Sequence, residues 1–210
     1  MRGRFISLEG PEGCGKSTQA GLLATHLRER GQTVVMTREP GGTPTGEMIR
    51  DILQHHASGE DISPEAEVLL FAASRAQHVA RVIRPALERG DWVICDRFVD
   101  SSLAYQGVAR GMGLETVLAA NEVALGGLWP DVTLWFDLPV DVALSRVAAR
   151  GADADRFESE ARAFHQKVAE GYRELAKRFP ERILRVEASG EIDAIAECVS
   201  AHLDCFSEVS

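Results

Sequence analysis

The chain has 210 residues, with 23 Lys plus Arg against 32 Asp plus Glu, a formal net charge of -9 and a pI near 5.2. That length suits one domain with a sizeable core, and 45% hydrophobic with 26% charged residues excludes disorder, collagen and mucin-like stalks. The acidic balance argues against a general nucleic-acid binder and an anionic-membrane binder, so an anionic ligand must be held by a few local cations.

In chain order, Phe5-Ile6-Ser7-Leu8 is a strand-like apolar run. Gly10-Pro11-Glu12-Gly13-Cys14-Gly15-Lys16-Ser17 follows it and matches G-x-x-x-x-G-K-[ST]. A helix is predicted from Lys16 to Arg30, with Ala20, Leu23 and Leu27 on one face and Gly31 as its stop. Thr33 to Met36 is the second strand, and Glu39 to Gly46 is Gly/Pro/Thr-rich and irregular. Ser63 then Pro64 is an N-cap with proline at the first helical position. That helix runs to about Arg89, with Pro85 bending or ending it.

Trp92 to Cys95 is the third strand and leads into Asp96-Arg97-Phe98, with a helix beyond that carries Tyr105 and Gln106. Helices are predicted over Leu114 to Leu125, Val140 to Arg150, Glu158 to Phe179 and Ile192 to Leu203, and strands over Val132 to Phe136 and Ile183 to Val186. Gly151 to Asp155 is a second polar, glycine-led stretch. Continuously apolar strands suit a parallel sheet covered on both faces. The alternation predicts a single three-layer α/β domain of the P-loop NTPase type, on a five-stranded parallel sheet.

The phosphate-loop residues have a common chemical logic. Glycines let backbone N–H groups point at phosphate oxygens, and the helix N-terminus adds a favourable dipole. Lys16 reaches the β and γ phosphates, and the Ser17 hydroxyl, followed by Thr18, can ligate Mg²⁺. A GTP switch is excluded, because neither D-x-x-G nor N-K-x-D occurs and the only asparagine, Asn121, precedes Glu122. Asp96 at the end of the third strand is placed to hold Mg²⁺ or its waters, with an N-cap as the alternative role. Arg97 is read as a two-oxygen clamp on phosphates, against a surface ion pair.

Thr37-Arg38-Glu39-Pro40-Gly41-Gly42-Thr43 resembles the T-R-E-P-G-G-T signature of thymidylate kinases. Asp96-Arg97-Phe98 is similar to that family's D-R-[FY], Ser101-Ser102-x-x-Tyr105-Gln106-Gly107 to its S-x-A-Y-Q-G, and Asp155-Arg156-Phe157-Glu158 to the D-R-[IF]-E that closes its lid. The likeness covers essentially the whole chain in order. It implies a nucleoside monophosphate kinase-like fold, transfer of the γ-phosphoryl group of ATP to dTMP giving dTDP for dTTP biosynthesis, Mg²⁺ as cofactor, and a homodimer. Small phosphate-loop deoxynucleoside kinases and an inactive nucleotide switch are the competing readings.

The resemblance also implies site roles. Phe71 and Arg75, four apart on the Pro64 helix, share a face that forms the thymine pocket, with Phe71 stacking and Arg75 donating to the base edge. Arg38 stands near the dTMP phosphate beside Arg97, Gln106 helps hold the base, Tyr105 lies against the sugar, and Ser101 and Ser102 border the same pocket. The Glu12 carboxylate accepts from the acceptor sugar's 3′-hydroxyl, which explains an acid in a phosphate loop. Gly13 stands where some members carry an arginine, so the chain resembles the bacterial type, in which a lid, here about residues 146–160, supplies it. Arg146, Arg150 and Arg156 flank the lid loop, with Arg150 and Arg156 unranked as the arginine of transfer.

The adenine site carries no recognised motif. The histidines show no metal spacing, and Cys14, Cys95, Cys198 and Cys205 form no C-x-x-C pair and read as reduced thiols. With no signal-like apolar region near Met1 and no run of 18 apolar residues, a cytoplasmic location is expected.

Overall fold

The computed structural model describes residues 2–55, 60–149 and 156–208, with side chains described as far as Leu203. Five strands, β1 (Phe5–Glu9), β2 (Val34–Arg38), β3 (Trp92–Asp96), β4 (Val132–Asp137) and β5 (Ile183–Glu187), pair in parallel in the order β2-β3-β1-β4-β5. Every residue of β1 is buried, whereas the edge strands β2 and β5 are partly exposed. Continuous apolarity thus marks a strand covered on both faces in the centre of the sheet, whereas the runs of β2 and β5, expected to be covered likewise, lack a neighbour on one side and stay partly exposed.

The pleat sends alternate β1 residues to opposite faces. Ile6 and Leu8 pack against Leu23 and Leu27 of α1 (Lys16–Glu29) and Ile195 and Val199 of α9 (Ile192–Glu208). Phe5 faces the other side, against Ile83, Leu87, Val93 and Phe98. Each fully buried side chain of this size contributes roughly 1.5–3 kcal/mol. Ser7 and Glu9 share the face of Phe5 by the same alternation.

The helix that begins at Pro64 starts as expected. The Ser63 hydroxyl accepts from the Ala66 N–H at 3.2 Å, and Pro64 occupies the first turn. α3 (Pro64–His78) then passes through a π-helical stretch (Val79–Ile83) into α4 (Arg84–Glu88). Pro85 has no N–H to give its helix, and the widened turn, closed by the Arg84 N–H on the Val79 carbonyl, accommodates it.

Beyond β3, α5 (Val99–Ser102) leads into a second π-helical stretch (Leu103–Ala109) that carries Tyr105 and Gln106. It packs against α8 (Arg162–Arg178), where Gly171 lies so close to Ala104 that a Cβ would stand 3.0 Å from its Cα. α6 (Leu114–Leu125) and α7 (Val140–Ala149) match the expected helices, α7 as far as the described residues go.

One helix, α2 (Pro44–His55), is not among those expected, and two helix boundaries differ: α9 runs on to Glu208, past the expected end at Leu203, and the start of α8 shifts. The chain turns helical again at once within the Glu39 to Gly46 stretch, because α2 has Pro44 at its start, where a missing N–H costs nothing. α8 begins at Arg162 rather than Glu158, with turns over residues 156–159. No helix among the described residues is long and apolar enough to cross a membrane.

Candidate active site

Register brings the functional segments to one end of the sheet. Leu8 of β1 pairs with Asp96 of β3, and Asp96 pairs with Arg38 of β2. The phosphate loop, Asp96-Arg97 and the segment after β2 thus leave the sheet at the same, carboxyl end of the strands, where the connections of neighbouring strands diverge. Ligands of open parallel sheets bind there.

In the loop, Lys16 is buried and its Nζ donates to the carbonyls of Gly10 at 3.3 Å and Pro11 at 2.9 Å. Burial and the Arg97 charge push its pKa down while Cys14, Glu12 and Asp96 push it up, and the balance is upward, so Lys16 carries its charge at neutral pH. No side chain caps the start of α1, which leaves its first-turn N–H groups to an anion. A Cβ on Gly13 would stand 2.8 Å from the Ala143 carbonyl oxygen, so α7 rests directly on the loop at this position. Arg146 of α7 donates to the Gly13 carbonyl at 3.4 Å.

Beside the loop, the Ser17 hydroxyl donates to Asp96 Oδ2 at 3.1 Å. Arg97 sits at φ 71°, left-handed for a residue with a side chain. Its Nη1 donates to the Gly10 carbonyl at 2.9 Å and Ser101 Oγ at 3.1 Å, and its Nη2 donates to Glu12. The guanidinium lies 5.2 Å from the Tyr105 ring centroid.

These groups open onto a cavity of about 310 Å³. Glu12, Ser17, Asp96, Arg97 and Ser101 are among its lining residues, with Arg38 and Pro40 and with Phe71, Arg75, Ser102, Tyr105 and Gln106. Arg75 is 1% exposed. Its Nε donates to Glu39 at 2.9 Å and its Nη1 to Ser102 at 3.2 Å and to Asn121. Glu39 also meets His78 at 3.0 Å. Phe71 is tilted on Phe157 with centroids 5.8 Å apart, and Tyr105 is edge-on to Phe157 at 6.1 Å.

A family model for thymidylate kinase matches residues 8–199. The chain is 52% identical over 194 residues to the thymidylate kinase of Alkalilimnicola ehrlichii, covering 92% of this chain and 89% of that protein. It is 50% identical over 203 residues to that of Pseudomonas putida strain GB-1, covering 97% and 96%, and 50% over 192 residues to that of a Synechococcus species, covering 91% and 90%. The chain belongs to the thymidylate kinase family. With membership comes the activity, ATP-dependent phosphorylation of dTMP to dTDP in dTTP synthesis.

Within this thymidylate kinase framework the expected catalytic, metal and acceptor residues fall into three groups. Glu12, Ser17, Arg38, Phe71, Arg75, Asp96, Arg97, Ser101, Ser102, Tyr105 and Gln106 border one cavity, with Lys16 in the loop beneath. Arg38 is half-exposed and pairs with Glu47 at 2.8 Å, and Glu12 is engaged by Arg97. Arg156 is elsewhere: it donates to the Leu53 carbonyl at 2.9 Å and to Glu67 at 2.5 Å, and it borders a second hollow with Asp61, Arg110 and Glu160. Arg150 and the lid loop, residues 151–155, lie outside the described residues.

Several residues at the site were not anticipated. Glu39 and Asn121 anchor Arg75, and Glu67 holds Gln106. Glu67, Phe71 and Arg75 recur every four residues on α3, a ladder that carried the signal. Glu9, at the end of β1, is fully buried. It accepts from the Phe98 N–H at 2.7 Å, Ser101 Oγ at 2.6 Å, Tyr172 OH at 3.0 Å and Ser7 Oγ at 2.9 Å. Its neighbours Ser101 and Tyr172 also receive Arg97, so Glu9 is the anchor behind that guanidinium.

Burial, and then the Asp100 carboxylate, raise the Glu9 carboxyl from 4.5 to about 7. An acid whose pKa is raised by folding stabilises the fold below its unfolded pKa, and this contribution is lost as pH rises through the folded value. Between about pH 5.5 and about pH 8.5 this group alone removes about 2 kcal/mol of stability. Glu9→Gln cannot ionise, and denaturant unfolding across that range should show a correspondingly flatter pH slope. An unchanged slope in the variant would assign the titration to another group.

Proposed function

We propose that the cavity binds dTMP with its phosphate toward Arg97 and Arg38 and its base among Phe71, Arg75 and Gln106, while the phosphate loop holds ATP. The observation that carries this reading is the strand register, which sets Ser17, Asp96 and Arg97 against one another and opens them onto the pocket lined by Arg75 and Phe71. The acceptor phosphate oxygen is already anionic, so no general base is required. Lys16 and Arg97 bear on the transferring group, and a lid arginine completes the set, Arg146 being the one already seated on the loop.

The Ser17 hydroxyl and the Asp96 carboxylate form the donor set for Mg²⁺. A hard cation that keeps most of its waters and takes phosphate oxygens needs one or two such protein ligands, and these two groups already meet at 3.1 Å. When bound, the ion neutralises charge on the β and γ phosphates. Glu12, held by Arg97, lines the same cavity, and in this reading it receives the acceptor sugar's hydroxyl. The lid about residues 146–160, a homodimer through the exposed Met48, Ile52 and Leu69 of α2 and α3, and a cytoplasmic location belong to the same reading.

ADP release measured over dTMP, dUMP, dCMP, dAMP, UMP and thymidine tests it. The expected result is dTMP as best acceptor, with thymidine inert because it brings no phosphate to Arg97 and Arg38. Thymidine as best acceptor, or no acceptor raising ADP release, would overturn the reading.

A further inference from the structure

Glu67 is a charged residue on α3, 1% exposed, at the back of the base end of the cavity. Its Oε1 accepts from Gln106 Nε2 at 2.8 Å, and its Oε2 accepts from Arg156 at 2.5 Å and Arg110 at 3.4 Å. An ionised carboxylate only accepts hydrogen bonds. The Gln106 amide therefore has one favourable orientation, with its NH₂ toward Glu67 and its oxygen away from it. That oxygen, Oε1, is buried and has no hydrogen-bond partner among the described residues, while Gln106 lines the cavity. A buried carbonyl without a donor is costly, and such a group in a ligand cavity points to a donor brought by the ligand.

We infer that Glu67 is a positioning residue for base selection: by pinning the Gln106 NH₂, it makes an acceptor the group offered to the ring edge. Thymine and uracil carry an N–H at ring position 3, whereas cytosine carries a bare acceptor nitrogen there. The pinned amide thus favours the former and opposes the latter, since two facing acceptors leave both unpaired. The inference rests on the reading that Gln106 meets the base. Arg110 and Arg156 hold the charge of Glu67 in place and so keep the amide from turning.

The test uses the full-length enzyme and compares the KM for dTMP with the inhibition constant of dCMP against dTMP, which needs no turnover of dCMP. In Glu67→Gln the new amide can donate to Gln106, which is then free to turn. The ratio of the two constants should move toward dCMP by about tenfold or more, with the KM for ATP unchanged. Glu67→Asp, which keeps the charge but withdraws it by one methylene, should move the ratio the same way and serves if Glu67→Gln does not fold. Adding either change to Gln106→Ala should have no further effect on the ratio. If a folded Glu67 variant leaves the ratio at the wild-type value while Gln106→Ala shifts it, the inference fails and the base-holding role of Gln106 stands. If Gln106→Ala itself leaves the ratio and the KM for dTMP unchanged, that role fails and the inference with it. Parallel rises in the KM for dTMP and for ATP, with the ratio fixed, would mark Glu67 as structural support only.

Discussion

Lys16→Ala should lower kcat by about a thousandfold and leave a folded protein. The argument starts from where the ammonium sits. Lys16 is 6% exposed, fixed by the Gly10 and Pro11 carbonyls at the mouth of α1. It is therefore already positioned and desolvated, and such a charge is worth far more in a dry site than in water. Charge gathers on the equatorial oxygens of the phosphoryl group as it moves, so the loss falls on the transition state more than on bound ATP. The stability cost is smaller. Two charge-assisted bonds to carbonyls disappear, but the Gly10 carbonyl keeps its bond from Arg97, and about 2 kcal/mol covers the loss. Single-turnover kinetics with saturating dTMP, alongside thermal unfolding of the variant, separates the two effects. A kcat within tenfold of wild type would remove Lys16 from the transfer step.

The fold was legible because its signals are local. Buried parallel strands are continuous apolar runs, and Ile6, Leu8, Ile94 and Leu134 announce themselves without partners. The Ser63-Pro64 start and the glycine loop are equally local. The order of the strands was not legible, since nothing in β2 states that β3 will insert between it and β1.

The site divides along the same line. The cavity's lining follows from motifs, but the buried polar network behind it spans long separations. Glu39 reaches Arg75 across 36 positions, Arg75 reaches Asn121 across 46, and Glu67 reaches Arg156 across 89. No periodicity records such pairs. Glu9 hid for another reason: it ends an apolar strand and reads as the first residue of the outgoing loop, yet the pleat turns it inward beside Ser7. An acid at that point leads inward to Arg97, whose position in the cleft depends on the hydroxyls that Glu9 collects.

Arg97 permits a prediction in which activity and stability part company. Its backbone is held at φ 71° by the Arg97 N–H on the Leu8 carbonyl at 2.9 Å and by the next N–H, that of Phe98, on Glu9 at 2.7 Å. A side chain in this region costs roughly 1–2 kcal/mol, and glycine does not incur it. Arg97→Gly and Arg97→Ala remove the same guanidinium, with its bonds to Gly10, Ser101 and Glu12, but only the alanine keeps the backbone cost. Both variants should lose about 10²–10³ in kcat/KM for dTMP, and Arg97→Gly should be the more stable by about 1 kcal/mol. Arg97→Lys should fall between wild type and these, because a point charge cannot span the Gly10 carbonyl and Glu12 at once. Denaturant unfolding and steady-state kinetics on the three variants decide the matter. Equal stability of Gly and Ala would show that the chain relaxes out of the left-handed conformation once the guanidinium is gone, which would make the side chain, rather than Glu9 and the β1 carbonyl, the cause of the strain. Retention of activity within tenfold in Arg97→Gly would place the phosphate clamp elsewhere in the cleft, with Arg38 next in line.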